Sequence, residues 1–163
     1  MEKGKEYLGF GGKLNHEIPH WVDMRESLFH IRIRSVCADL TKGENAEELL
    51  ESALFYSANQ RWFCELMLVM PDHLHALIHF GVSSRTGMSQ IIGDWKRYQT
   101  KSLDVEWQEN YFDHRLRSHE QGSETFDYIR RNPVVKGLCG AMDEWKWWLQ
   151  VNPTSGEITR GWR

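Results

Sequence analysis

The chain has 163 residues, 40% of them hydrophobic and 26% charged, which is typical of a globular protein and long enough to bury one core. Its formal net charge of −3 excludes the overall basic balance of a protein that coats DNA, so any nucleic-acid contact must be local. No apolar run reaches the length of about 18 residues that spans a membrane, and no apolar signal core follows the charged start. We therefore expect a cytoplasmic protein of one domain, 1–163, with no membrane contact.

The three cysteines are widely separated and form no C-x-x-C pair. This spacing predicts reduced thiols rather than a disulfide framework or a cysteine zinc site.

The first predicted strand follows an irregular N-terminal arm. Residues 1–27 are rich in Gly and His and show no period. Residues 28–37 (LFHIRIRSVC) alternate between apolar and polar side chains, which predicts a strand. One face of this strand is basic and carries His30, Arg32 and Arg34. Such a face is either solvated or in contact with phosphates.

The most apolar run of the chain, residues 66–80, holds three of its eight histidines. Pro71 and Asp72 interrupt the run and predict a tight connection between strands at 61–70 and 73–80. In the later strand His73 and His75 point to the same side, because side chains alternate along a strand. Ionisable rings in an apolar run need partners, so the pair is either hydrogen-bonded in the core or part of a metal site.

Helical periodicity predicts one helix at 46–59, with an acidic outer face, and another from Met88 to Lys101, with Lys96 and Arg97 on its flank. Between this helix and the next, residues 107–118 (WQENYFDHRLRS) mix aromatic and charged side chains and predict an edge strand.

The last predicted helix covers 121–132. Phe126 and Ile129 are expected to face inward, and Pro133 is expected to end the helix. After it, the Trp-rich C-terminal tail, 139–163, is expected to cover an exposed edge of the core.

The predicted order is β-α-β-β-α-β followed by an added helix. This order predicts an α+β fold, a ferredoxin-like sandwich with a four-stranded antiparallel sheet. In that topology the first and third strands are neighbours. The basic face of the first strand then lies beside His73 and His75.

Tyr128 and Asn132 are four residues apart and share one side of the last predicted helix. Tyrosine can act as a covalent nucleophile, and an amide oxygen can complete a metal site that two imidazoles begin. In other proteins such residues are packing and helix-end residues, so the pair carries weight only with its surroundings.

Three segments together resemble a known family. Residues 71–75 (PDHLH), 111–117 (YFDHRLR) and 127–134 (DYIRRNPV) resemble, in order and spacing, the single-tyrosine HUH transposases, and most closely the REP-associated tyrosine transposases. The resemblance extends from about Leu28 to Leu138 and includes the added C-terminal helix that carries the tyrosine.

The resemblance implies a metal-dependent enzyme that cleaves and rejoins single-stranded DNA through a 5′-phosphotyrosine intermediate. His73, His75 and Asn132 match the ligands of a divalent metal, Mg²⁺ or Mn²⁺, and Tyr128 matches the nucleophile. Asp72 and His114 are expected to support the site.

The implied partner is single-stranded DNA that forms hairpins, and relatives act as dimers or as monomers. The candidate DNA-binding residues are the cations near these segments, namely Arg32, Arg34, Lys96, Arg97, Arg115, Arg117, Arg130 and Arg131.

Two other functions remain open on the sequence. One is a DNA-binding regulator derived from a transposase that has lost cleavage, against which the intact histidine pair, Tyr128 and Asn132 argue. The other is a metal-dependent phosphodiesterase that uses water as its nucleophile, with His79 as a further ligand.

Overall fold

A computed structural model of the protein describes residues 27–81 and 87–162, so the predicted N-terminal arm, except Ser27, lies outside the described residues. These segments form six strands and three α-helices. In chain order they are β1 (Leu28–Arg34), α1 (Asn45–Ala58), β2 (Phe63–Val69), β3 (His73–His79), α2 (Met88–Leu103), β4 (Phe112–Leu116), α3 (His119–Val135), a short 3-10 helix (Met142–Glu144), β5 (Trp148–Val151) and β6 (Ile158–Arg160).

One antiparallel sheet holds all six strands in the order β4-β1-β3-β2-β5-β6. The first four strands confirm the predicted ferredoxin-like topology, with β1 and β3 adjacent and β4 at the edge. The expectation of a four-stranded sheet is wrong, because the Trp-rich tail adds β5 and β6 beside β2. Strands of four and three residues are too short to give a reliable alternation signal.

The sheet has helices on both faces. Helices α1 and α2 cover one face and form the larger core with the apolar side chains of β1 and β3, among them Phe29, Ile31, Leu74 and Ile78. Helix α3 covers the opposite face, where Ile129 packs with Leu66, Leu68 and Leu77. The alternation predicted for β1 and β3 is confirmed. The histidine face of the sheet is therefore the face beneath α3.

Helix α3 is longer than the sequence predicts. It begins after Ser118, whose hydroxyl accepts a hydrogen bond from the backbone N–H of Gln121, and it continues through Pro133 to Val135. Proline lacks only one backbone donor, and the helix proceeds because the N–H of Lys136 still bonds to the carbonyl of Asn132 at 3.0 Å. The prediction that Pro133 ends the helix is wrong, and Asn132 is an interior residue of the last turns.

The connection between β2 and β3 is fixed from two sides. The backbone N–H of Met70 bonds to the carbonyl of His73 at 2.8 Å and closes the turn. From the segment after β1, the N–H of Ser35 bonds to the carbonyl of Asp72 at 2.9 Å, and that of Leu40 to the carbonyl of Pro71 at 2.8 Å. These bonds hold the residues that precede the histidine pair in one position.

Within the described segments, no helix combines the length and apolarity needed to cross a membrane.

The pairing of β5 with β2 makes the tail part of the core, and this can be tested. Leu149 in β5 is fully buried, whereas Ile158 in β6 is 45% exposed. We expect Leu149→Ala to lower the free energy of unfolding by about 2 to 5 kcal/mol, because it leaves a cavity in the core. Ile158→Ala should change it by less than about 0.5 kcal/mol. Urea unfolding followed by circular dichroism measures the free energy of unfolding of both variants. Equally small effects would show that the tail is not part of the folded core.

Candidate functional site

Directly opposed residues form rows across the sheet face beneath α3. In one row Arg34 of β1 lies opposite His73 of β3. In the next row the order across the sheet is Phe112, Arg32, His75, Leu68 and Trp148. A third row has the order His114, His30, Leu77, Leu66 and Gln150. The histidines and arginines of these rows therefore come from β4, β1 and β3, whereas β2 contributes leucines.

His73 and His75 converge at their Nε2 atoms. These atoms are 3.1 Å apart, the ring planes are at 83°, and both residues are buried. Two ligand atoms at about 2.1 Å from one octahedral metal ion, at right angles to each other, are separated by about 3.0 Å. The two rings therefore have the separation that a shared metal ion requires.

Asp72 links His73 to Arg34. Its carboxylate accepts a hydrogen bond from Nη1 of Arg34 at 2.7 Å and one from Nδ1 of His73 at 2.6 Å. Partial burial raises the pKa of Asp72, but the hydrogen bond from His73 and the charges of His73 and Arg34 outweigh it, so this pKa is lowered. The ionised carboxylate only accepts hydrogen bonds. His73 therefore carries its proton on Nδ1 and presents the lone pair of Nε2 toward His75.

Burial keeps the imidazoles of the site neutral. It lowers the pKa of His30 from 6.5 to about 3, with smaller contributions from the charges of Arg32 and His114. It also lowers the pKa of His75 well below its usual range, and the neighbouring His30 and His73 act in the same direction. For His73, burial outweighs the opposing hydrogen bond to Asp72, and the pKa is again lowered. Neutral imidazole is the form that binds metal ions.

Tyr128 of α3 lies over the histidines. Its ring centroid is 5.9 Å from that of His75 and 6.4 Å from that of His30, in edge-on contacts. The side chain is 37% exposed, so a ligand can reach it from solvent. One turn further along α3, Asn132 is buried, and its Oδ1 accepts no hydrogen bond from any residue that the structure describes. Helix α3 thus brings a phenol and an amide oxygen to the histidine face.

The donors present fit a divalent cation held by two imidazoles and one amide oxygen. Among residues 27–81 and 87–162 there is no group of three or more His, Cys, Asp or Glu side chains that could hold a metal ion. A metal at the His73–His75 pair therefore needs a ligand of another type. The Oδ1 atom of Asn132 is the candidate for this ligand, because it is buried without a hydrogen-bond partner among the described residues and a buried polar atom is costly without one.

Four of the arginines named from the sequence lie on the histidine face or on α3. Arg32 is buried with its guanidinium 5.0 Å from the centre of the Phe112 ring, and Arg34 is paired with Asp72. Arg130 is buried against Trp148, with its guanidinium 3.8 Å from the ring centre. Arg131 is exposed on α3. Of these four arginines, Arg131 is the one classed as exposed.

The other candidate cations are spread over the molecule. Arg117 is exposed and lines a cavity of about 610 Å³ at the start of α3. Arg115 lies opposite Phe29 in the β1–β4 pair and so belongs to the other sheet face. Lys96 donates to the backbone carbonyls of Gln108 and Glu109, and Arg97 pairs with Asp94 on α2. The structure does not bring Lys96, Arg97 or Arg115 to the histidine site.

Sequence reasoning places His30 on the face beside His73 and His75 but assigns it no role in the site. The Nε2 atom of His30 lies 2.9 Å from Nδ1 of His75, and its ring stacks on that of His75 at 28°. The alternation of β1 places His30 on the correct face, but only the register of β1 against β3 shows which histidine it contacts. Trp148 is missed for a related reason, since its strand is predicted only as a covering tail.

No protein-family model matches the chain. A curated relative from Haemophilus influenzae (strain ATCC 51907 / DSM 11121 / KW20 / Rd), described as an uncharacterized protein, is 26% identical over 42% of this chain. The match covers 52% of that relative, so the chain spans about half its length. A solved structure of a REP-associated tyrosine transposase bound to a REP hairpin is similar, with a TM-score of 0.64 and 17% identity. The match covers 83% of this chain and 82% of the transposase chain. It confirms the expected resemblance at the level of the fold.

The burial of His30 predicts how stability depends on pH. In the presence of a chelator, the free energy of unfolding should fall as the pH is lowered from about 6.5 to about 4, because the unfolded chain binds a proton at this residue and the folded chain does not. His30→Gln removes this proton uptake, so its stability should fall less steeply over the same range. Urea unfolding at several pH values measures both slopes. Equal slopes would show that His30 is not held neutral by the fold.

Proposed function

We propose that the protein is a metal-dependent single-stranded DNA transposase or endonuclease that cleaves and rejoins DNA through a 5′-phosphotyrosine intermediate on Tyr128. The observation that carries this proposal is the position of the Tyr128 ring over the converging His73–His75 pair, 5.9 Å from His75. The shared fold with a REP-associated tyrosine transposase supports it. Because a fold alone does not determine chemistry, the mechanism is argued from the geometry of the site.

In this proposal His73, His75 and Asn132 hold Mg²⁺ or Mn²⁺. When bound, such an ion neutralises the charge of the scissile phosphate and makes its phosphorus more electrophilic. Asp72 fixes the proton of His73 on Nδ1, so that Nε2 is available as a ligand. Arg34 holds the other carboxylate oxygen of Asp72 and so restrains the orientation of this carboxylate.

Tyr128 supplies the nucleophile. Its phenol oxygen attacks the phosphorus, the bond from phosphorus to the 3′ oxygen breaks, and the phenol proton is balanced by the proton gained on the leaving oxygen. The products are a 5′-phosphotyrosine and a free 3′-hydroxyl. Attack by a 3′-hydroxyl on the same phosphorus reverses the reaction and joins two strands without an external energy source.

The exposed side of α3 is the proposed DNA surface. Arg131 follows Tyr128 by three residues and so occupies the neighbouring helix surface, and Arg117 lies at the start of the helix. The buried Arg32 and Arg130 are engaged with aromatic rings and serve to position the site. A single strand, near a hairpin, fits a site enclosed between one helix and a sheet. The Tyr128 ring lies 5.9 Å from that of His75 in the same chain, which supports a site built within one monomer.

The water-nucleophile alternative receives no support from His79. Its Nδ1 lies 3.0 Å from the carbonyl oxygen of Ser27 and its Nε2 lies 2.7 Å from a carboxylate oxygen of Glu65, so both ring nitrogens are engaged away from the pair.

The covalent step is tested by Tyr128→Phe. The purified protein is incubated with labelled single-stranded hairpin oligonucleotides and Mn²⁺ or chelator, and products are separated on a denaturing gel. We expect wild type to give a metal-dependent protein–DNA adduct and Tyr128→Phe to give none, because the phenylalanine ring has no nucleophilic oxygen. Tyr98→Phe is the matched control, since Tyr98 is also exposed but lies on α2 on the other side of the sheet.

The other outcomes identify the alternative functions. Binding of the oligonucleotide without an adduct would favour the regulator. Cleavage that persists in Tyr128→Phe would make water the nucleophile and overturn the role of Tyr128.

If DNA binds along the exposed side of α3, substitution of two exposed arginines should affect DNA binding differently. In a Tyr128→Phe background, Arg131→Ala should reduce the slope of log K against log salt concentration for single-stranded DNA by about 0.7, because one phosphate contact is lost. Arg97→Ala should leave the slope unchanged, since Arg97 pairs with Asp94 on the opposite side of the sheet. Fluorescence anisotropy at several salt concentrations measures both slopes. A larger effect of Arg97→Ala would place the DNA on α2.

A further inference from the structure

His30 forms the end of a hydrogen-bonded chain through the candidate metal ligands. The chain runs from Asp72 to His73 at 2.6 Å, from His73 to His75 at 3.1 Å, and from His75 to His30 at 2.9 Å. Its two ends differ in chemistry: one is an exposed carboxylate held by Arg34, and the other is a fully buried imidazole on the neighbouring strand.

From this chain we infer that His30 is a positioning residue that determines which nitrogen of His75 is free to bind the metal ion. The inference rests on the proposed metal site and deepens it. Each ring nitrogen from Nδ1 of His73 to Nε2 of His30 faces one partner at hydrogen-bond distance, so the position of one proton determines the position of the next.

Without a metal ion, the chain has one consistent arrangement. Asp72 requires the proton of His73 to be on Nδ1, so Nε2 of His73 accepts and Nε2 of His75 donates. Nδ1 of His75 then accepts a hydrogen bond from Nε2 of His30. In this arrangement His75 carries its proton on the nitrogen that would face the metal.

A metal ion between His73 and His75 requires the opposite arrangement at His75. The Nε2 atoms of both ligands then present lone pairs, so His75 carries its proton on Nδ1 and donates it to Nε2 of His30. His30 accepts this hydrogen bond and carries its own proton on Nδ1. Each ring keeps one proton in both states, so only the positions change and no charge enters the buried site.

The role of His30 therefore requires a group that can both donate and accept at the position of Nε2. An imidazole does so by changing its tautomer, and a glutamine amide, whose end reaches a similar position, does so by turning its carbonyl or its NH₂ toward the partner. A leucine of similar volume does neither. It would leave the Nδ1–H of a metal-bound His75 buried without an acceptor, which is costly.

The test measures Mn²⁺ binding to DNA-free protein, by calorimetry and by the loss of the free Mn²⁺ signal in electron paramagnetic resonance. We expect His30→Leu to weaken Mn²⁺ binding by about 10- to 100-fold, as loss of such a partner does at other metal sites. His30→Gln should bind close to wild type. His79→Leu is the matched control, because His79 lies on the same face of β3 but is bonded to Glu65 and the Ser27 carbonyl.

A second measurement does not depend on the stability of any variant. In wild type labelled with ¹⁵N-histidine, long-range ¹H–¹⁵N spectra report which nitrogen of each ring carries the proton. In chelator, the His75 proton should be on Nε2, and in saturating Mg²⁺ it should be on Nδ1, with His30 changing from Nε2 to Nδ1.

The outcomes separate this inference from the proposed function. If wild type binds Mn²⁺ and folded His30→Leu binds equally well, or if the His30 tautomer is the same in both states, the role of His30 is overturned and the metal site stands. If wild type binds neither Mn²⁺ nor Mg²⁺, the metal-dependent function itself is overturned. Equal weakening by Leu and Gln would also overturn the inference, since it would show that only the shape of the ring matters.

Discussion

The burial of polar rings between α3 and the sheet is the constraint on which the rest of the structure depends. His30 and His75 are almost completely buried, and each must keep its hydrogen bonds because water cannot replace them. The register of β1 against β3 satisfies this requirement by bringing the rings together from adjacent strands. Ile129 of α3 then closes the face with the apolar side chains of β2. A shift of one residue in this register would turn His30 to the opposite face and leave His75 without its partner.

The Trp-rich tail contributes to the same constraint from the β2 edge of the sheet. By pairing with β2, it removes a free strand edge and places Trp148 in the row that contains His75. Trp148 in turn stacks on Arg130, two residues after Tyr128, so the tail and the tyrosine helix are in direct contact. A guanidinium buried against an aromatic face is a favourable but geometrically demanding contact. The tail therefore limits where α3, and with it Tyr128, can lie.

The proposed chemistry uses this rigidity. A metal ion needs ligands with fixed lone pairs, and a nucleophile needs a fixed approach to the phosphorus, whereas DNA needs an accessible surface. The site separates these requirements: His73, His75 and Asn132 are buried, Tyr128 is partly exposed, and Arg131 is exposed. The acidic net charge of the chain is compatible with this arrangement, because the basic residues that matter are few and local.

Much of this protein was determined by local sequence. Period-2 alternation in β1 and β3 places the histidines and Arg32 on one face, and the order of elements predicts the β4-β1-β3-β2 core, because both signals depend only on nearby residues. Only the tertiary structure decided what depends on contacts between distant segments: the pairing of His30 with His75, the addition of β5 and β6 to the sheet, and the stacking of Arg130 on Trp148. Helix α3 also continues past Pro133, which is buried, where local propensity alone predicts an end. The position of a strand edge or a buried ring is set by its partners, and these lie far away in the chain, as His75 lies 45 residues from His30.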